Sequence, residues 1–125
     1  MQMLLAIAAG GATGALARHF VASHITKVLG FGFPYGTFAV NMIGSLLMGV
    51  LITLFALKFD ATPALRGFLT VGLLGSFTTF STFSLEGALL VQRGDWSGAA
   101  LYMFGSLVVG LACLFAGMWL GRVLL

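Results

Sequence analysis

The stretch Gly75-Ser76-Phe77-Thr78-Thr79-Phe80-Ser81-Thr82-Phe83-Ser84 places glycine, hydroxyls and aromatic rings in the middle of an apolar segment. Glycine weakens a helix, and β-branched threonines can bond backbone carbonyls instead of extending it, so the spacing predicts a discontinuous helix. The carbonyls and amides freed by such a break find no partner in lipid and must meet protein, water or an ion. Phe80 and Phe83, three apart, share one face of whatever helix follows. Their positive ring edges can attract an anion weakly without the full charge of an arginine, although packing alone would also occupy such a pair. With the Asn41 amide and the hydroxyls of Ser81, Thr82, Ser84 and Tyr102 they form a donor-rich, nearly uncharged lining, in which a small anion could shed water and still leave.

Glu86 is the only acidic residue expected inside a span, where a carboxylate costs about 2.5 to 3.5 kcal/mol unless paired or wetted. It reads as the partner of a hydroxyl or basic group at a pore mouth, or as a proton carrier. Its place close to a span end also allows snorkelling to the interface. His19 and His24 have no cysteine or acidic companion and read as interfacial side chains, not a metal pair. No nucleophile-base-acid set or phosphate loop is present, so no enzyme is expected.

The elements that must position these groups follow from composition. The 125 residues are 60% hydrophobic and 7% charged, with mean hydropathy +1.12, against about 25% charged in soluble domains. At roughly 20 apolar residues per crossing, this predicts an all-α integral membrane protein of four transmembrane helices in a single domain, 1–125. Six basic and three acidic residues give +3 but are scattered between segments, which argues against nucleic acid. Cys113 is the only cysteine and lies in an apolar run, so no intrachain disulfide is possible. Ala15-Leu16-Ala17 resembles a signal cleavage site, but Met1-Gln2-Met3-Leu4-Leu5 lacks the basic region that opens a signal peptide, so the first segment is expected to stay.

The first span is expected over residues 3–22, with Gly10 and Gly14 as a close-packing pair. A connection with His24, Lys27, Gly30, Gly32 and Pro34 leads to the second span, 35–57. There Asn41, Gly44, Ser45, Met48 and Gly49 form a small, polar stripe on one helical face, which must meet protein. Asn41 alone could equally be interhelical glue. Lys58, Asp60, Pro63 and Arg66 make a loop before the third span, 67–91. The turn 92–95 and the interfacial Trp96 then lead to the fourth span, 97–120.

Charge balance bears on orientation. Lys58, Arg66 and Arg122 belong to the side holding both termini, and Arg18, Lys27 and Arg93 to the other. Three against three leaves the positive-inside rule without a winner, so both insertions and an antiparallel dual-topology homodimer are expected. At about 1.5 Å per residue, Gly75 to Thr79 lies some 12 to 18 Å beyond Gly67, close to the midplane of a core about 30 Å thick. Phe83, Asn41, Tyr102 and Ser106 lie roughly 8 to 13 Å from one and the same face. Glu86 and Arg18 belong to that half too. One chain therefore lines half a pathway, and an antiparallel partner supplies the rest, twice per dimer.

Three motifs in order resemble the Fluc (CrcB) fluoride channels over essentially the whole chain: Gly10-Gly11-Ala12-Thr13-Gly14-Ala15-Leu16-Ala17-Arg18, then Gly36-Thr37-Phe38-Ala39-Val40-Asn41 with Gly44-Ser45, and Thr78-Thr79-Phe80-Ser81-Thr82-Phe83. The resemblance implies a passive, fluoride-selective channel in the bacterial inner membrane that exports cytoplasmic fluoride. It also implies dual-topology dimers with two pathways lined by Asn41, Phe80 and Phe83, and polar lining by Ser81, Thr82, Thr37 and Glu86. A structural sodium ion on the dimer axis, held by the main-chain carbonyls of Gly75 and Thr78, is implied as well. Arg18 matches a vestibule arginine. Ser76 and Phe77 depart from the common pattern, in which a second glycine and a leucine are more usual. The rival is a small proton-coupled, dual-topology multidrug exporter using Glu86, although such exporters carry a carboxylate deep in the first span and this chain has none there. A structural subunit without transport of its own is a third reading.

Overall fold

A computed structural model describes residues 1–124; Leu125, the last residue of the expected domain, lies outside the described residues. Four helical stretches are long and apolar enough to cross a membrane, Gln2–Leu29, Tyr35–Leu57, Pro63–Gln92 and Trp96–Val123, and the protein is a multi-pass membrane protein. The first two are the continuous helices α1 and α2. The third is built in pieces: α3 (Pro63–Arg66), a π-helical stretch (Gly67–Leu74), α4 (Gly75–Phe77) and α5 (Ser81–Gln92). The fourth is α6 (Trp96–Val123).

Local chemistry sets the ends. Gly30, at φ 93°, stops α1. The Thr62 hydroxyl accepts from Leu65 N at 3.2 Å, with Pro63 in the first turn of α3. Asp95 Oδ1 accepts from Gly98 N at 2.9 Å and starts α6. Arg66 holds the preceding connection by donating to the carbonyls of Ala61 (3.3 Å) and Phe55 (3.4 Å), with its guanidinium 4.9 Å from the centre of the Phe55 ring.

Two close packings order the spans. A Cβ on Gly10 or Gly14 would run into the carbonyl oxygens of Phe68 and Leu73, so α1 lies backbone to backbone against the π-helical stretch. Gly49 and Gly117 do the same for α2 and α6, where a Cβ would meet the carbonyls of Leu114 and Leu46. Small residues allow such approach where lipid gives helices no hydrophobic reason to associate. Apolar side chains such as Phe104 and Leu101, 68% and 67% exposed, line the outer surface, the expected arrangement in lipid.

Three sequence expectations require correction. His24 and Lys27 lie within α1, which continues to Leu29. Hydropathy marks where lipid ends, whereas a helix ends where the backbone leaves helical geometry, which first happens at Gly30, at φ 93°. Twenty-eight residues span about 42 Å and outrun the hydrocarbon core. Pro63 and Arg66 are helical for the same reason, since Thr62 caps before them. The π-helical stretch was not foreseen. Its wider i→i+5 winding advances less per residue, so Gly75 lies less far beyond Gly67 than an ordinary helical rise implies.

Candidate functional site

The helix is interrupted between Phe77 and Ser81. Thr78 is extended (φ −88°, ψ 160°), while its amide and its hydroxyl both donate to Leu74 O, at 3.1 and 3.0 Å. The next peptide is held from α2. Asn41 Nδ2 donates to Thr79 O at 3.1 Å, and Thr79 N donates to Asn41 Oδ1 at 2.8 Å. One carboxamide thus satisfies both polar ends of one residue's backbone, the requirement for irregular backbone at membrane depth. The Thr79 hydroxyl then accepts from Thr82 N at 3.2 Å and caps the start of α5. Among the described residues, no donor reaches the main-chain oxygens of Gly75 or Thr78. These hard, neutral oxygens are suited to a monovalent cation, although two of them are too few to enclose one.

Beside the break runs a groove of about 450 Å³. Asn41, Ser45, Thr78, Thr79 and Ser106 give it polar atoms, and Phe80 and Phe83 form an aromatic wall. Met42, Met48, Leu107 and Leu111 extend it as an apolar surface. Gly44 keeps it open to Thr78, because a Cβ there would strike the Thr78 methyl. Most of the stripe read from α2, namely Asn41, Gly44, Ser45 and Met48, lines this groove, while Gly49 packs against α6.

The Phe80 and Phe83 ring centres are 5.8 Å apart. Phe80 is 78% exposed on the groove side, whereas Phe83 packs on Tyr102 at 5.1 Å. Tyr102 is fully buried and also stacked edge-on against Phe33 at 5.5 Å, and among the described residues no group meets its hydroxyl at hydrogen-bonding geometry. Ser106 Oγ is buried and unpartnered in the same way. The Ser106 hydroxyl, on the groove wall, leaves a donor free for a guest, whereas Tyr102 lies outside the groove lining and is packed on Phe83.

Thr37, 7% exposed, donates its hydroxyl to Glu86 Oε1 across the interface of α2 and α5. Glu86 also borders a second pocket of about 140 Å³ with Phe33 and Arg93. Arg93 itself donates to the Gly32 carbonyl and faces Asp95 at 3.4 Å. Thr82 is half-buried, and Ser81 and Ser84 lie exposed on α5 outside the groove lining. Arg18 is half-buried on α1 and borders neither space. Ser76 and Phe77 both remain helical in α4, with Phe77 buried.

Sequence reasoning did not single out Thr79, although a threonine three residues before Thr82 is the spacing of a helix cap. Residues 5–118 match the family model described as CrcB-like protein, Camphor Resistance (CrcB). The chain belongs to the CrcB family. Among its CrcB relatives, the fluoride-specific ion channel FluC of Nitrobacter winogradskyi is 47% identical over 121 residues, covering 97% of this chain and 96% of that protein. FluC of Rhodospirillum centenum is 48% identical over 122 residues (98% and 97%), and FluC of a Chelativorans species 43% identical over 125 residues, the full length of both. The CrcB relatives carry the name of an ion channel and not of an enzyme.

Proposed function

We propose that this chain is a passive fluoride channel that lets cytoplasmic fluoride leave a bacterial cell across its inner membrane. The observation that carries the reading is the end-to-end likeness to fluoride-specific ion channels in a chain whose groove has hydroxyl, amide and aromatic edges but no charged side chain. A lining of that kind can replace part of an anion's hydration without trapping it. Asn41, Phe80, Phe83, Tyr102 and Ser106 line the path in this reading. Thr37, Glu86, Ser81, Thr82 and Ser84 continue it as a polar track, and Arg18 attracts the anion at its mouth.

The working unit is an antiparallel homodimer of two single-domain chains with two pathways. The balance of three basic residues on each side and the exposure of Phe80 support it, because a second copy laid against the groove would cover that ring and complete the half that one chain leaves apolar. The broken third spans then meet near the midplane. The carbonyls of Gly75 and Thr78 from both copies would hold a sodium ion, which supplies fixed positive charge and ties the two breaks together.

Expression in a fluoride-sensitive bacterial strain should restore growth in millimolar-range fluoride, and growth unchanged from an empty vector would contradict the proposal. The in-span carboxylate Glu86 favours one rival, a proton-coupled multidrug exporter. On that reading Glu86→Gln abolishes drug resistance and fluoride tolerance is unaffected by the protein.

A further inference from the structure

Resting on the channel reading above, the geometry points to Thr79 as a positioning residue for anion passage. Its backbone is clamped by Asn41 and its hydroxyl caps α5, so that Asn41 acts on the pathway through backbone orientation as well as by facing it.

Three contacts converge on this one residue. The Thr79 amide donates to Asn41 Oδ1 at 2.8 Å, its carbonyl accepts from Asn41 Nδ2 at 3.1 Å, and its hydroxyl accepts from Thr82 N at 3.2 Å. The first two use the Asn41 oxygen and one of its two N–H groups, leaving the second N–H for the groove. Thr79 directly follows Thr78, whose carbonyl is free, and directly precedes Phe80, whose ring forms the groove wall. Rotation of this backbone would therefore swing the Thr78 carbonyl and the Phe80 ring together. Among the described residues, no other hydrogen bond fixes the segment between α4 and α5 on the Phe80 side, apart from Ser84 N donating to Phe80 O at 2.9 Å. A group acting in this way governs how well the lining is aimed, and conduction depends on lining groups being placed to replace the ion's hydration without holding it.

The test separates the hydroxyl from the shape of the side chain. Thr79→Val keeps the β-branch and removes the hydroxyl, Thr79→Ala removes both, and Thr79→Ser keeps the hydroxyl. Each is reconstituted in liposomes loaded with fluoride, and amide hydrogen exchange is followed over peptides covering residues 78–84. The expected result is a fluoride efflux lowered by about tenfold in the valine and alanine variants, with faster exchange at Thr82, and recovery to within about twofold of wild type in the serine variant. Wild-type efflux from both hydroxyl-free variants, or a serine variant as impaired as valine, overturns the inference while leaving the channel reading intact. A wild-type protein that releases no fluoride overturns the channel reading, and this inference with it.

Discussion

Thr37 on α2 and Glu86 on α5, forty-nine positions apart in the chain, are joined by a hydrogen bond from the threonine hydroxyl to the carboxylate. The pair brings the one in-span carboxylate beside the aromatic cluster of Phe33, Phe83 and Tyr102, and ties the second half of the broken span to α2. Glu86→Ala leaves the buried Thr37 hydroxyl without its acceptor, which should lower stability by about 1 to 3 kcal/mol. Glu86→Gln keeps an acceptor oxygen and should lose less than half of that. Thermal unfolding of the purified variants in detergent checks the order, and equal loss in both would show that the hydrogen bond is not what Glu86 contributes.

Replacement of Asn41 by aspartate exchanges the N–H that donates to Thr79 O for a second acceptor, and puts a negative charge on the groove wall. Both changes oppose anion passage. Fluoride efflux should fall by about tenfold or more, because a fixed negative charge a few ångströms from an anion path repels it by at least about 1 kcal/mol even in water and by more in a protein-lined groove. An Asn41→Asp protein with undiminished efflux would remove Asn41 from the pathway.

Backbone contact between α1 and the π-helical stretch depends on the absence of two methyl groups. Gly14→Ala drives a Cβ into the Leu73 carbonyl, and Gly10→Ala into that of Phe68. Each should destabilise by about 1 to 3 kcal/mol, the range for overpacking. Gly32→Ala is the control, because no atom lies within 4 Å of the added carbon. Unfolding midpoints should fall for the first two variants and hold for the third.

The free main-chain oxygens of Gly75 and Thr78 give a prediction about the cation. Removing sodium from both sides of the membrane, with a bulky organic cation in its place, should depress fluoride efflux and lower the unfolding midpoint, and sodium should restore both in a saturable way. Efflux indifferent to sodium would contradict a cation at those carbonyls.

Much of this architecture is legible in the chain because lipid forces a simple code. Four apolar runs, glycine pairs at close packings and a hydroxyl-rich interruption in the third run mark the spans and the groove-facing stripe of α2. The hydrogen bonds that shape the interruption are less legible. Asn41 and Thr79 lie thirty-eight positions apart, and neither residue type announces a partner at that separation. The π-helical winding of Gly67–Leu74 is not legible because a glycine- and leucine-rich apolar run reads the same for any helical winding, and the close approach of Gly72 to Gly10 and Gly11 joins residues some sixty positions apart. The extension of α1 to Leu29 escaped because hydropathy reports solvent and not backbone geometry.

Passive and selective carriage of fluoride is the activity proposed for this chain. Liposomes loaded with equal potassium fluoride and potassium chloride, diluted into a salt of an impermeant anion and followed with two ion-selective electrodes, test it most directly. Addition of a potassium ionophore should release nearly all the fluoride from protein-containing vesicles while chloride stays inside. Retention of fluoride after ionophore, or release of chloride at a comparable rate, would contradict the account.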